Sequence, residues 1–261
     1  MIKTFEEKEI IGDAYFRHSK ITSLGNLKQI GGDASFTNSE VQDLGNLERI
    51  GKSARFENSK ITSLGNLEII GLSADFTNSE VQDLGKLERI FGGADFGNSK
   101  TTSLGKLESI GGDADFSHSE VQDLGNLEYI SGYANFRDSK ITDFGNLRQI
   151  GGNAYFSNSE VQDLGKLERI GGNVNFIDSK ITDFGNLKQI KGEVYFGNSE
   201  HDLALKEMFN QLFKYNKETC AFEHRSLMKD QISKIENSFA QAMTSAQNTA
   251  HKITNNQNEK I

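Results

Sequence analysis

The side chains that could do chemistry in this sequence are few and widely spaced. The chain has five histidines, and the two that share a repeat position, His18 and His118, are five repeats apart. A metal site needs three or four such side chains around one centre, so we expect none. His118 precedes Ser119, but we expect that serine to be buried, which leaves no nucleophile beside a base. Cys220 is the only cysteine, and we interpret it as an ordinary helical residue. The sequence therefore predicts a protein that is not an enzyme and needs no cofactor or metal.

A set of exposed residues is better suited to binding than to catalysis. Asp75, Asp95 and Asp115 recur every 20 residues, and Asp113 adds a carboxylate nearby. On neighbouring strands these charges would repel by about 0.8 kcal/mol per pair in water, and a partner's lysine or arginine would relieve that repulsion. Tyrosine and arginine are enriched at binding hot spots. The predicted partner-binding residues are Arg55, Asp75, Asp95, Asp113, Asp115, Tyr133, Arg137, Tyr155 and Tyr195. Variation on an unselected surface is the alternative interpretation.

The element that positions these residues is a repeat of 20 residues. A phenylalanine occurs at every twentieth position from Phe16 to Phe196, and a serine follows three residues later, from Ser19 to Ser199. In the first repeat, Ala14 and Phe16 alternate with variable residues, which is the pattern of a half-buried strand. One such strand cannot bury its apolar face alone, whereas stacked strands share a core. Glycines at positions 11, 12 and 25 of the repeat are expected at corners that require a positive φ or a close backbone approach.

The predicted fold is a mainly β solenoid of about ten 20-residue rungs, with a parallel sheet on one face and C-terminal helices after it. The rungs cover residues 11–200, and residues 1–10 form an N-terminal half-rung. The repeat resembles the leucine-rich-repeat family, because the family pattern LxLxxNxL corresponds to AxFxxSxI, and the LGNLxxI that follows looks like the rest of a short bacterial repeat. It is also similar to the rungs of receptor L-type domains. The resemblance implies a right-handed solenoid whose concave sheet recognises proteins, and a buried serine ladder that bonds the backbone of the next rung.

A longer period of 40 residues is superimposed on the first. The residue after each ladder serine alternates between lysine and glutamate, from Lys20 and Glu40 to Lys180 and Glu200. A column of alternating charges would fix the register, since a slip of one rung would bring like charges together. Duplication of a 40-residue unit explains the pattern equally well.

The repeat ends after Phe196, and helical patterns follow. Ser199 to Asp202 fits a capping box, so a capping helix is predicted over residues 201–218, where it would cover the end of the core. An amphipathic helix is predicted over residues 219–253, because its apolar residues have the spacing of a coiled coil. Residues 254–261 are predicted to be a disordered tail. The residues predicted to mediate oligomerisation, possible as a homodimer, are Met228, Ile232, Ile235 and Phe239.

Charge and composition exclude several classes of partner. The net charge of −8 disfavours nucleic acid and anionic membranes, and no apolar stretch is long enough to span a bilayer. The N-terminus lacks the pattern of a secretory signal, so we expect the protein to be cytoplasmic where it is made, although non-classical export would leave no trace in the sequence. The glycine–aspartate turns resemble calcium-binding repeats on one side of the coil only, and threonine recurs only on alternate rungs, unlike an ice-binding array.

Two hypotheses remain for the function. The first is a non-catalytic scaffold that recognises a basic or mixed-charge protein through the concave sheet, as an effector, immunity protein or inhibitor would. The second is a structural protein that self-assembles through its C-terminal helix. A partner of known identity would decide between them.

Overall fold

The fold is a parallel β-solenoid with about nine stacked turns of 20 residues, which confirms the predicted class. The computed structural model describes residues 7–225. Each turn contributes two strands of two residues, and equivalent strands of successive turns pair in register, residue i with residue i+20. The strands therefore form two sheets on different sides of the coil. The sequence pattern predicts only the sheet that contains the Ala-x-Phe segment.

The first sheet has twelve strands, and its order follows the stacking of the turns. Its parallel strands are β1 (Glu9–Ile10), β3 (Gln29–Ile30), β5 (Arg49–Ile50), β7 (Ile69–Ile70), β9 (Arg89–Ile90), β11 (Ser109–Ile110), β13 (Tyr129–Ile130), β15 (Gln149–Ile150), β17 (Arg169–Ile170) and β19 (Gln189–Ile190). Two antiparallel strands complete it, β22 (Ala221–His224) beside β19 and β21 (Phe213–Asn216) at the edge.

The second sheet has ten strands, all parallel. They are β2 (Ala14–Tyr15), β4 (Ala34–Ser35), β6 (Ala54–Arg55), β8 (Ala74–Asp75), β10 (Ala94–Asp95), β12 (Ala114–Asp115), β14 (Ala134–Asn135), β16 (Ala154–Tyr155), β18 (Val174–Asn175) and β20 (Val194–Tyr195). In every strand the first residue faces the core and the second faces outward. This sheet carries most of the residues that the sequence analysis selects for binding.

The core is a column of repeated apolar side chains. Phe96 is fully buried, and its ring stacks on Phe76 at 4.8 Å and on Phe116 at 5.4 Å between centroids. The leucines of the LGNL segment and the isoleucine that ends each turn are buried in the same cluster. Because each turn buries its apolar residues against the next one, stability arises between turns rather than within them.

Two residues per turn have left-handed backbone conformation, and they form the corners. One is the glycine of the LGNL segment, such as Gly45 with a φ of 59°. The other precedes the ladder serine and is asparagine, histidine or aspartate, such as Asn38 with a φ of 52°. These residue types tolerate positive φ better than most. The glycines at positions 11 and 12 instead allow the backbones of successive turns to approach closely. A Cβ at Gly51 would lie 2.2 Å from the carbonyl oxygen of Gly31.

The hydrogen bonds predicted for the serine ladder, from each serine to the backbone of the next turn, are wrong. The serines are buried as expected, but seven of their hydroxyls have no hydrogen-bond partner, namely those of Ser39, Ser59, Ser79, Ser99, Ser139, Ser159 and Ser179. The Ser119 hydroxyl donates to the Phe116 carbonyl of its own turn, at 2.7 Å. Side chains at position 13 of the repeat make the bond between turns instead. The Asp13 carboxylate accepts from the Asp33 N–H at 2.9 Å, and Asp113 accepts from the Tyr133 N–H at 2.9 Å.

Exposed polar pairs join successive turns, and the 40-residue period makes them alternate. The alternating-charge column forms as pairs, each linking a glutamate to the lysine of the next turn: Glu40 to Lys60, Glu80 to Lys100, Glu120 to Lys140 and Glu160 to Lys180. Serine–aspartate hydrogen bonds connect the turns in between, from Ser23 to Asp43, Ser63 to Asp83 and Ser103 to Asp123. Each exposed pair contributes a few tenths of a kcal/mol, so register is their larger effect.

The C-terminal cap differs from the two predicted helices. Helix α1 (Glu200–Leu212) begins at the predicted capping box, in which Ser199 Oγ accepts from the Asp202 N–H. The helix predicted over 201–218 ends early, because Phe213 turns into β21, and the β21–β22 hairpin pairs with the open edge of β19. Of the helix predicted over 219–253, residues 221–224 are strand, and Cys220 is in the hairpin turn with a φ of 49°. The remainder lies outside the described residues.

Candidate functional site: an acidic groove on the ten-stranded sheet

Three aspartates occupy adjacent strands of the ten-stranded sheet. Asp95 on β10 is the register partner of Asp75 on β8 and of Asp115 on β12. Each side chain follows an inward alanine, so the strand alternation turns all three outward on one column. One carboxylate oxygen of each accepts a backbone N–H two residues further on. These bonds run from Thr77 N to Asp75 (2.9 Å), Gly97 N to Asp95 (2.8 Å) and Ser117 N to Asp115 (2.8 Å). The aspartates thus both hold the local turn and present charge to solvent.

Small residues beside this column create a groove. At position 13 of the repeat the chain has Ser53, Ser73 and Gly93 on three consecutive turns, where other turns have aspartate, asparagine, tyrosine or glutamate. The hollow left by these short side chains has a volume of about 320 Å³. Its lining residues are Ser53, Ala54, Arg55, Ser73, Ala74, Asp75, Gly93, Ala94, Asp95, Asp113, Asp115 and Tyr133. We refer to this hollow as the acidic groove.

The two ends of the acidic groove differ in chemistry. Arg55 on β6 lies at one end, in register with Asp75, yet within residues 7–225 neither makes an ion pair. Tyr133 lies at the other end, and its ring meets Tyr155 edge to face with 6.3 Å between centroids. The groove therefore places carboxylates between one cation and one aromatic ring.

The acidic groove raises the pKa of two groups that line it. Asp95 is reached by solvent, but the groove walls displace much of the water around its carboxylate. This desolvation is the largest cause of its raised pKa, and the charges of Asp115 and Asp75 add to it. The pKa of Tyr133 is raised first by burial and then by Asp113, Asp115 and Asp95. Burial is the largest cause of both shifts, and the neighbouring carboxylates add a contribution that a bound cation would offset.

The structure brings together six of the nine residues predicted to bind a partner. Arg55, Asp75, Asp95, Asp113, Asp115 and Tyr133 all line the acidic groove. Tyr155 is next to it through its contact with Tyr133, and Arg137 is exposed at the end of the neighbouring strand. Tyr195 is not part of it, because β20 lies four strands beyond Asp115 and the Tyr195 hydroxyl bonds Glu193. The predicted oligomerisation residues Met228, Ile232, Ile235 and Phe239 lie outside the described residues.

Two surface features escape the sequence analysis. The first is a column of five glutamates on consecutive turns beside the twelve-stranded sheet: Glu48, Glu68, Glu88, Glu108 and Glu128. Their backbones are joined turn to turn, as in the bond from Glu88 N to Glu68 O. The second is a pair of exposed apolar residues, Leu72 and Phe91, at the corner that precedes the ten-stranded sheet. Tabulating every outward repeat position, instead of position 15 alone, would have found both.

The groups considered for catalysis lie apart. His18 and His118 occupy the same left-handed corner of different turns, and His118 Nε2 is 3.8 Å from a carboxylate oxygen of Asp138. Ser119 is buried, and its hydroxyl bonds a backbone carbonyl. Across residues 7–225, no three histidine, cysteine or acidic side chains are grouped in a way that could hold a metal ion.

Comparison with known proteins gives no assignment. The chain matches no family model, no curated protein and no solved structure. The resemblance to leucine-rich repeats therefore stays a prediction. Within the described part of the chain, no helix has the length and apolar character needed to cross a bilayer.

Proposed function

We propose that this protein is a non-catalytic recognition scaffold that binds a basic or mixed-charge protein through the acidic groove of its ten-stranded sheet. The observation that supports this proposal is the arrangement of Asp75, Asp95 and Asp115. These three carboxylates are on adjacent strands, face solvent, and have no ion pair to a cation among residues 7–225. A lysine or arginine of a partner would be attracted to all three at once.

The energetics favour a cation at the centre of this column. Adjacent carboxylates about 4.8 Å apart repel each other, and desolvation adds to the free energy of keeping Asp95 ionised. A cation that enters the groove offsets the repulsion between the carboxylates, and its attraction to Asp95 is stronger because less water screens that carboxylate. Aromatic and arginine side chains at the ends, Tyr133 and Arg55, supply contact area and a second charge.

The glutamate column is a weaker candidate for the same role. Lys28 pairs with Glu48 at 2.8 Å, and Arg89 lies 3.9 Å from Glu108, so two of its charges are already offset. Its side chains are also longer and more flexible than aspartate, and ordering them on binding costs more conformational entropy. The acidic groove is the more pre-organised of the two surfaces.

A pair of charge reversals tests the proposal. Asp95→Lys and Glu88→Lys each raise the net charge by two, and both substitute an exposed acidic residue in the middle of an acidic column. We expect a fluorescent tetralysine peptide to bind the unmodified chain, and Asp95→Lys to weaken that binding by at least about tenfold at low salt. Glu88→Lys should change the affinity by less than about twofold, since it acts only through long-range charge.

The salt dependence of the same titrations distinguishes binding in the acidic groove from attraction by the net charge of the whole protein. Binding in the acidic groove should show a steep loss of affinity with ionic strength that flattens in Asp95→Lys and persists in Glu88→Lys. Equal weakening by the two variants would contradict the proposal and indicate net charge alone. Circular dichroism melts should show that both variants remain folded, because exposed substitutions of this kind change stability by about 0.5 kcal/mol or less.

A further inference from the structure

The corner before the ten-stranded sheet is built from glycine in most turns. Position 11 is glycine at six of its ten occurrences in the sequence, and position 12 is glycine at eight of ten. Two of the exceptions are large apolar residues on consecutive turns, Leu72 and Phe91, and they are 49% and 56% exposed. Neither belongs to the apolar core of residues 7–225, so burial within that part of the chain does not explain them.

These two residues have the slightly longer hydrogen bonds between turns that other non-glycine residues at these positions, such as Ser131 and Lys52, also have. At position 11, the N–H to carbonyl distance to the previous turn is 2.7–2.8 Å for the glycines, and it is 3.0 Å from Phe91 to Ile70. At position 12 the same distance between the backbone nitrogen and the carbonyl oxygen of the previous turn is 2.8–3.0 Å for the glycines. It is 3.1 Å from Leu72 N to Lys52 O. A Cβ at these corners meets the backbone of the adjacent turn, which explains the lengthening. Phe91 and Leu72 thus expose apolar surface to solvent without shortening the hydrogen bonds between turns.

Both residues lie within two positions of a residue that lines the acidic groove. Leu72 immediately precedes Ser73, and Phe91 is two residues before Gly93, and both of those small residues line the groove. Leu72 and Phe91 are themselves neighbours, since the Gly92 N–H donates to Leu72 O at 2.9 Å. Their Cα atoms are about 6 Å apart, as follows from one turn of stacking and one residue along the chain. Lys52, the basic residue at this corner one turn before Leu72, lies 3.9 Å from the Asp13 carboxylate.

We propose that Leu72 and Phe91 form an apolar contact surface for the partner that the acidic groove recognises. The partner segment would carry a large apolar residue flanked by lysine or arginine, so that the apolar side chain packs on Leu72 and Phe91 while the cations meet Asp75 and Asp95. This inference rests on the proposed function of the groove and specifies the chemistry of its ligand. Charge complementarity with the adjacent aspartates selects a basic segment over an acidic or neutral one.

The test compares two fluorescent pentapeptides, one with phenylalanine between two pairs of lysines and one with glycine in its place. We expect the unmodified full chain to bind the phenylalanine peptide about tenfold more tightly, as for a residue at a binding hot spot. Phe91→Gly combined with Leu72→Gly restores the residue that the repeat has at both corners. This double variant should bind both peptides with equal affinity, and its melting temperature should be unchanged or higher.

Ile11→Gly is the matched control. Ile11 is an apolar residue at position 11 of the first turn, is 94% exposed, and lies four turns from Phe91. Its substitution should leave the tenfold preference for the phenylalanine peptide intact. Equal affinity of the unmodified chain for both peptides would overturn this inference alone, and loss of the preference in Ile11→Gly would do the same. Binding of neither peptide would overturn the proposed function as well.

Discussion

The buried serine hydroxyls lead to a prediction that opposes the resemblance to leucine-rich repeats. If the serines formed a ladder between turns, their removal would destabilise the solenoid. The structure instead leaves the hydroxyls of Ser59, Ser99 and Ser139 buried and without a hydrogen-bond partner. Substitution of each by alanine removes a desolvated polar atom and keeps the Cβ. We therefore expect these three changes to stabilise the protein.

The magnitude follows from the cost of an unsatisfied group. A buried hydroxyl without a partner costs about 1–3 kcal/mol, and part of that gain is lost with the van der Waals contacts of the oxygen atom. We expect about 1 kcal/mol per substitution. Ser59, Ser99 and Ser139 lie on alternate turns, about 10 Å apart, so their effects should be nearly additive. The triple variant should gain about 3 kcal/mol.

Urea unfolding followed by circular dichroism measures this gain as a shift of the midpoint at constant slope. Ser119→Ala is the matched control, because the Ser119 hydroxyl donates to Phe116 O at 2.7 Å. That variant leaves a buried carbonyl with one bond fewer and should lose about 1 kcal/mol. Destabilisation by the triple variant, similar to that of Ser119→Ala, would refute the reasoning and restore the serine ladder between turns.

Four further predictions concern the groove, the core and the cap. The raised pKa of Asp95 means that its ionisation opposes folding, so Asp95→Asn should stabilise the chain at pH 7, and the gain should disappear as the pH falls below the ordinary value of 3.8 in a stability–pH series. Phe96→Ala should cost about 3–5 kcal/mol in urea unfolding because it opens a cavity between stacked rings, and the exposed Phe91→Ala should cost under about 0.5 kcal/mol. Burial acts to raise the pKa of Asp202, but hydrogen bonds from Ser199 and from a backbone N–H outweigh it and lower the pKa. Asp202 should therefore contribute stability above pH 3.8 that is lost as the pH falls through the lowered pKa, and Asp202→Ala should lack this pH dependence. If residues beyond Arg225 mediate the alternative self-assembly, the full chain should be oligomeric in light scattering and a chain ending at Arg225 should be monomeric. The same oligomeric state for both chains would contradict that hypothesis.

The repeat made the solenoid, its period and its core predictable, because each inward residue such as Phe96 recurs in every turn and has one geometric role. The twelve-stranded sheet was not predicted, since its two-residue strands, such as Gln29–Ile30, show no alternating pattern of their own. The cap was predicted only up to α1. Phe213 and Phe222 have apolar spacing compatible with helix or strand, and the open edge of β19 decides the matter by pairing with β22. Such a tertiary contact is invisible to local sequence patterns.

The candidate site was predictable to the extent that it follows outward repeat positions. The aspartate column could be found because aspartate recurs at position 15 in three turns. The groove instead depends on the absence of a long side chain at position 13 in three turns. Position 13 normally bonds the next turn, as Asp33 does to the Ser53 N–H. Gly93 has no side chain to make that bond, and the Gly93 N–H meets the Ser73 hydroxyl only at 3.3 Å. A search for repeat residues alone does not reveal a hollow.

A solenoid of near-identical turns can acquire a binding function at the positions where its turns differ. A residue that every turn shares is needed for stacking, and it gives all turns the same surface. Discrimination between partners requires positions that break the repeat, and here the departures at Leu72, Phe91 and Gly93 coincide with the aspartate column on three neighbouring turns. Leu72 and Phe91 do not shorten the hydrogen bonds between turns, and Gly93 lacks the side-chain bond of position 13, so none of the three improves the stacking. Because stability is a sum over many interfaces between turns, the solenoid tolerates these local losses at the site that we propose for binding.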